Sequence, residues 1–351
     1  MSRLNPAVPA AVPRYGNAMA STALSALLLI AAGAFGCWLI GTRSLDLGTD
    51  TSTYAVFFAR LDQGPIITRL EPGFVAISYV LNRLGLGVTG YQAALFLLML
   101  LTVLVSTRKY FAYLASSRDY LTFLCASLML LYVSPMFVNA TINAVRQGLA
   151  ALLVFVALLS FQQRKWWQFA LYGAVACSLH SSSALYLLFA PALLLGANTL
   201  RLVAAAAFLL YCSGLSMTLV QSLVPSLYGV VMEYTANPNY RSGVRVDFAV
   251  FSIFWYALPH LAGQLVHLPY REEIKRSTAV YLVMLLPFFA IGWGYFSNRY
   301  LLPGWLAVSL IVAAMLCHSR LAILRNPLVI RLGLIASCGV FYFLVTNGIV
   351  I

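Results

Sequence analysis

Acidic residues are almost missing from this chain: nine Asp and Glu stand among 351 residues, and only three lysines accompany 19 arginines. With 9% charged residues, 62% hydrophobic residues and a mean hydropathy of +0.88, it holds more apolar surface than a soluble core can use. A water-soluble globular enzyme is therefore excluded. The six cysteines (Cys37, Cys125, Cys177, Cys212, Cys317 and Cys338) show no CxxC spacing, so they indicate neither a disulfide framework nor a metal site. There is no internal repeat, Walker A loop, GxSxG elbow or HExxH helix, which leaves ATPase, serine hydrolase and zinc protease readings without a motif. No basic groove is interleaved with base-stacking aromatics, so nucleic acid is not an expected partner. The net charge of +13 instead suits anionic lipid headgroups.

What the chain does have is repeated apolar runs, many long enough at about 1.5 Å per residue to cross a hydrocarbon layer of about 30 Å. Because backbone polar groups in lipid must be satisfied internally, the expected fold class is an all-α polytopic membrane protein. Residues 1–17, with Pro6, Pro9, Pro13, Arg3 and Arg14, read as a cytoplasmic tail, and 18–351 as one membrane-embedded domain. About eleven spans can be drawn (10–12), at 18–40, 91–107, 120–139, 143–161, 168–180, 183–195, 201–220, 248–268, 278–296, 300–317 and 328–347. The first is too long and too late for a cleaved signal peptide and reads as an anchor.

Placing the N-terminus inside puts Arg108, Lys109, Arg118, Arg164, Lys165, Arg201, Arg271, Lys275, Arg276, Arg320, Arg325 and Arg331 in the cytoplasm, as the positive-inside rule requires. This drawing leaves two long outer loops, about 41–90 and 221–247, and makes 72–90 a helix lying outside or dipping partway in. Asp46, Asp50 and Tyr54 share one face at helical spacing, continued by Phe57, Phe58 and Leu61, which predicts a short amphipathic helix in the first loop. No pair of interrupted helices is evident in corresponding halves of the chain.

Eight arginines fall outside (Arg43, Arg60, Arg69, Arg83, Arg146, Arg241, Arg245 and Arg299) and no lysine does. A guanidinium grips phosphate oxygens with two parallel bonds and keeps its charge in low dielectric, so a phosphate-bearing anion is the expected ligand. Arg146, near the mouth of the bundle with Asn139, Asn143 and Gln147, is costly unless it faces a wet cavity or pairs with Asp50 or Glu71. His180 lies in a polar interruption, Ser178-Leu179-His180-Ser181-Ser182-Ser183. His260, His267 and His318 lack such surroundings and read as structural.

At these residues the chain resembles the EpsG and Wzy group of bacterial polysaccharide polymerases. The matching pieces are Gly48-Thr49-Asp50 with Tyr54, Glu71-Pro72-Gly73-Phe74, Asn143-Ala144-Val145-Arg146-Gln147, Leu179-His180-Ser181-Ser182 and Asn298-Arg299-Tyr300, in order over nearly the whole chain. The loop 221–247 matches only in being long and basic. The resemblance implies a fold related to the GT-C glycosyltransferases, with a helix in the first periplasmic loop, in the bacterial inner membrane. It further implies transfer of a glycan en bloc from undecaprenyl diphosphate to the non-reducing end of another lipid-linked repeat unit. The product would be O-antigen, capsule or exopolysaccharide, with room for a chain-length regulator as partner. No cofactor is called for, since the donor diphosphate is already activated.

In that chemistry Arg146, Arg241, Arg245 and Arg299 are expected to clamp the diphosphate, with Asn143, Gln147, Tyr54 and Tyr300 also binding substrate. His180 is the favoured general base, because an ordinary imidazole is neutral and can accept a proton near neutral pH. Glu71 and Asp50, ionised among cations, suit orienting the acceptor or holding Arg146. An O-antigen ligase would use the same face and the same arginines, and a transporter or flippase would line a pathway with them. A membrane acyltransferase would need a cytoplasmic donor site that the short inner loops do not offer.

Overall fold

The computed structural model describes residues 15–48, 50–63, 68–233 and 242–348, without the side chains of 15–18 and 62. Thr49, Arg241 and the first 14 residues of the expected tail lie outside the described residues. Every named element is a helix. α1 (Tyr15–Thr42) is followed by two short helices, α2 (Thr51–Arg60) and α3 (Pro72–Arg83), then by α4 (Val88–Tyr113), α5 (Tyr120–Tyr132) and α6 (Pro135–Ile142). Next come α7 (Val145–Gln162), α8 (Trp166–Leu179), α9 (Ser183–Leu188) running into a 3-10 turn at Ala190–Leu194, α10 (Ala197–Cys212), α11 (Leu215–Leu223) and α12 (Pro225–Met232). α13 (Val246–Leu261), α14 (Tyr270–Ile291), α15 (Ser297–Cys317) and α16 (Pro327–Thr346) complete the chain.

α7 is the central post. Its 18 residues rise about 27 Å, and all but Arg146 and Gln162, one at each end, are buried. A helix apolar on every side is one enclosed by protein, and α4, α8, α14 and α15 supply the enclosure. The peripheral helices α1, α4, α13 and α16 keep apolar side chains such as Ile30, Leu101, Phe254 and Leu332 exposed, as surfaces bathed in hydrocarbon require. Between helices in lipid no hydrophobic effect acts, so close packing and polar bonds hold them together. Tyr110 meets Ser277 at 2.9 Å, Tyr132 donates to the Ala32 carbonyl at 2.9 Å and Tyr281 to that of Ser252 at 3.1 Å.

Among the described residues, seven helices are long and apolar enough to cross a membrane: α1, α4, α7, α13 with its 3-10 extension to Leu265, α14, α15 and α16. Counting each of two bent pairs, α5 with α6 at 80° and α10 with α11 at 86°, as one span gives nine. Against the eleven drawn from sequence, the difference lies in 168–180 and 183–195. There α8 ends after 14 residues, and α9 has six before the Ala190–Leu194 turn. The bends correct the expectation of uninterrupted helices. Pro135 follows one break, and Gly214, at a left-handed φ of +77°, forms the other.

The bundle has two chemically distinct ends. At one, α2 and α3 cover the starts of α4 and α7: Phe58 stacks on Tyr91 at 4.0 Å between ring centroids, and Tyr54 packs on Phe74 at 5.4 Å. α2 buries Thr51, Tyr54, Ala55, Phe57 and Phe58 along one side, the expected amphipathic helix. Asp46 is not on it, because Asp50 is its N-cap and the chain before it is a turn. At the opposite end His318 bonds Ser116 (2.9 Å), His267 bonds Arg325 (2.6 Å) and Lys109 reaches Gln168 (3.5 Å).

Candidate functional site

Glu71 stands at the centre of the first end, and its surroundings explain the Glu71-Pro72-Gly73-Phe74 run. Glu71 is the extended N-cap of α3, with Pro72 in the first turn where a missing N–H costs nothing, and its side chain makes no capping bond. It turns instead into the bundle and is only 9% exposed. Gly73 lets α3 abut the end of α8: a Cβ there would lie 2.5 Å from Ser178 Oγ and 2.7 Å from the Ser178 carbonyl oxygen. Phe74 is wholly buried beneath it.

The partners of Glu71 come from two other chain breaks. α8 stops at His180, whose backbone is extended (φ −156°, ψ 118°), in a serine run whose side chains compete with helical bonding. There His180 Nδ1 lies 3.0 Å from Glu71 Oε1, and Ser181 donates to the same oxygen from its N–H (3.0 Å) and its hydroxyl (3.1 Å). The second break lies between α6 and α7. Arg146, in the first turn of α7, forms an ion pair through NH1 with Glu71 Oε2 and donates from Nε to the Tyr54 hydroxyl at 3.2 Å. Burial raises the Glu71 pKa, but the hydrogen bonds from His180, Ser181 and Arg146, with the charge of Arg146, overcome that and hold it well below the usual carboxylate range. An ionised carboxylate only accepts, so Nδ1 of His180 carries a proton toward Glu71.

Asp50 and Arg299 form a second pair nearby, at 3.4 Å and about one-third exposed. Arg299 opens α15, with its guanidinium 4.4 Å from the Phe296 ring centroid. Gln147 and Asn143 face inward: both are buried, Gln147 donating to the Arg299 carbonyl at 2.6 Å and Asn143 to Asn139 at 3.1 Å. Asn139, Asn143 and Gln147 do not share one continuous helix face, because α6 ends at Ile142. Tyr300 is partly buried, its carbonyl accepting from Tyr186 at 3.0 Å. Arg245 meets Asp247 through two bonds, of 2.9 and 2.6 Å, instead of the Glu71 cluster, and its guanidinium lies 3.8 Å from the Phe248 ring centroid. Arg241 falls outside the described residues.

Four residues that hold this arrangement escaped the sequence analysis as working parts. Ser181 was visible only as a member of its box. Tyr186, wholly buried in an apolar run, supports the backbone under Arg299 and Tyr300 and carries no sequence signal. Thr51 donates to the Ile142 carbonyl at the end of α6 (2.9 Å) and accepts from Arg43 (3.2 Å), tying the first loop to the break. Gly48, at φ +93°, permits this approach, since a Cβ would lie 2.6 Å from Asn143 Oδ1.

Three arginines thus stand at the N-terminal ends of α7, α13 and α15, each beside one carboxylate. Helix N-termini and guanidinium groups add their positive potentials, and anions are stabilised by both. Fold and site together define a polytopic all-helical membrane protein with a centre of paired arginines and carboxylates, bearing a histidine, at one end of the bundle. The chain belongs to the EpsG family, which it matches over residues 26–349. That membership gives it a polymerase-type role in polysaccharide biosynthesis. No curated protein and no solved structure matches it.

Proposed function

We propose that the protein is a Wzy-type polysaccharide polymerase of the bacterial inner membrane, working at its periplasmic face. The observation that carries this reading is Glu71 bridging Arg146 and His180, an anion-binding cation and a proton acceptor fixed on one carboxylate. The acceptor sugar hydroxyl attacks the anomeric carbon of the donor glycan. His180 Nε2 takes the hydroxyl proton while Glu71 stabilises the resulting imidazolium. The anomeric carbon–oxygen bond breaks, and undecaprenyl diphosphate leaves with its developing charge against Arg146 and Arg299. Gln147 and Tyr186 hold the backbone that presents Arg299, and Asp50 holds its side chain until substrate arrives.

The two short segments support the orientation drawn from the sequence: Lys165 and His180 flank α8 at its opposite ends, and Leu195, after the turn that follows α9, lies beside Gln162 and Arg201. All three lysines then share the end opposite Glu71, which the positive-inside rule assigns to the cytoplasm. The two helix breaks would suit a transporter, but the polar groups gather at one end and not at mid-bundle.

Reconstituted protein given lipid-linked repeat units should build a ladder of glycans. His180→Ala should cut turnover by about 10²–10⁴ while donor binding persists. Near-normal turnover in His180→Ala, with none in well-folded Glu71→Gln, would make the histidine structural and the glutamate the base.

A further inference from the structure

A groove of about 450 Å³ opens on the flank of the bundle. Trp305 and Val312 of α15 lie on its floor, Val133 and Pro135 at the break between α5 and α6 form one wall, and Phe251 and Trp255 of α13 the other. α15 packs against both α5 and α13. The floor is built to stay apolar: the Trp305 indole N–H is spent on Ser252 Oγ at 2.9 Å, and Phe251 packs edge-on to the same indole at 5.1 Å. Val133 and Phe251 remain 40% and 46% exposed, open toward the surrounding lipid.

Two of the helices that border this groove, α13 and α15, have an arginine of the candidate site at their N-terminal ends. Arg245 immediately precedes α13, and its guanidinium covers Phe248, which also lines the groove. Arg299 lies six residues before Trp305 on α15, about 9 Å along the axis. α6 starts at Pro135 in the wall and ends at Ile142, four residues before Arg146 on α7. A hydrocarbon slot with the Arg245–Asp247 pair at its rim and Arg299 about one and a half turns beyond its floor fits a molecule with an apolar tail and a charged head. A diacyl phospholipid would bring two chains to one groove and a single phosphate to several cations.

We infer that this groove seats the polyprenyl chain of the lipid-linked diphosphate and admits it sideways from the bilayer, an inference that rests on the head-group reading given above. The tail then selects substrates by chain length, and the groove sets the affinity for lipid without entering the chemistry. Val133→Trp narrows the groove from an exposed position, and Leu101→Trp, at an exposed position on α4, serves as its control. With full-length polyprenyl donors Val133→Trp should raise KM about tenfold at unchanged kcat, Leu101→Trp should not, and donors with a short tail should give equal KM in all three proteins. A rise in KM that is the same for short and long tails, or no rise at all, overturns the inference.

A second measurement separates it from the proposed reaction. A polyprenyl diphosphate bearing a diazirine in its chain should label peptides around Val133 and Phe251, with competition by undecaprenyl diphosphate and not by phosphatidylglycerol. Labelling elsewhere, or equal competition by the phospholipid, refutes the groove assignment even if polymer forms. Labelling as expected without polymer formation leaves the groove standing and removes the polymerase reading.

Discussion

Replacing Glu71 by Gln keeps the size of the side chain and removes the charge on which three groups converge. One amide oxygen can still accept from Ser181, but the NH2 group then faces the Arg146 guanidinium, donor against donor. Removing one partner of a buried ion pair costs about 3–5 kcal/mol. Arg146 is 23% exposed and can recruit water, so the lower figure of about 2–3 kcal/mol is expected here. A double-mutant cycle in detergent, with Glu71→Gln, Arg146→Gln and both together, should return a coupling of about 2 kcal/mol, the double variant being more stable than the sum of the single losses predicts.

The same residue sets an acid limit. Because the folded-state pKa of Glu71 is depressed, its contribution is complete above the ordinary carboxylate value of about 4.3 and is lost as pH falls from there toward the folded value. Wild-type stability should therefore drop more steeply below about pH 4.5 than that of Glu71→Gln. Turnover should also fall by at least about 10²-fold, since an amide cannot stabilise an imidazolium as a carboxylate does. Coupling near zero, together with an unchanged acid limb in Glu71→Gln, would refute the view that Glu71 is an ionised bridge.

Arg146→Lys and Arg299→Lys keep the charge but lose the planar fork, so each should cut polymer formation about 10- to 100-fold, and full-length polymer in both would remove the case for guanidinium geometry. Gly73→Ala must push α3 away from the backbone at Ser178, which should cost about 1–3 kcal/mol of stability and lower turnover at least about tenfold, read by thermal denaturation and the ladder assay. Unchanged activity would mean that the α3–α8 approach does not set the Glu71–His180 distance. Reporter fusions at Asp62, Gln221 and Asn298 should register outside and those at Ser116, Gln163 and Glu273 inside. Asp62 and Ser116 on the same side would make 72–90 a span and overturn the placement of the first acidic loop relative to the later motifs.

Composition and pattern alone determined the class and most of the helices. Hydrocarbon solvent allows few folds, and apolar length reports a span directly, which is why 91–107 and 300–317 lie within α4 and α15, and 143–161 lies within α7 but for its first two residues. The amphipathic face of α2 and the short helix after Pro72 were legible for the same reason, since periodicity is a local property. The breaks after Val133 and Ser213 were not, because an apolar run reads alike whether straight or bent. The motifs supplied Glu71, His180 and Arg146 as separate candidates, 75 and 109 residues from Glu71 to its two partners. Only tertiary structure decided that one carboxylate serves both, that Asp50 pairs with Arg299 while Arg245 takes Asp247, and that Gln147 turns inward to support a backbone. Pairing depends on distances across the bundle, which helix packing sets and which no residue type at a given spacing encodes by itself.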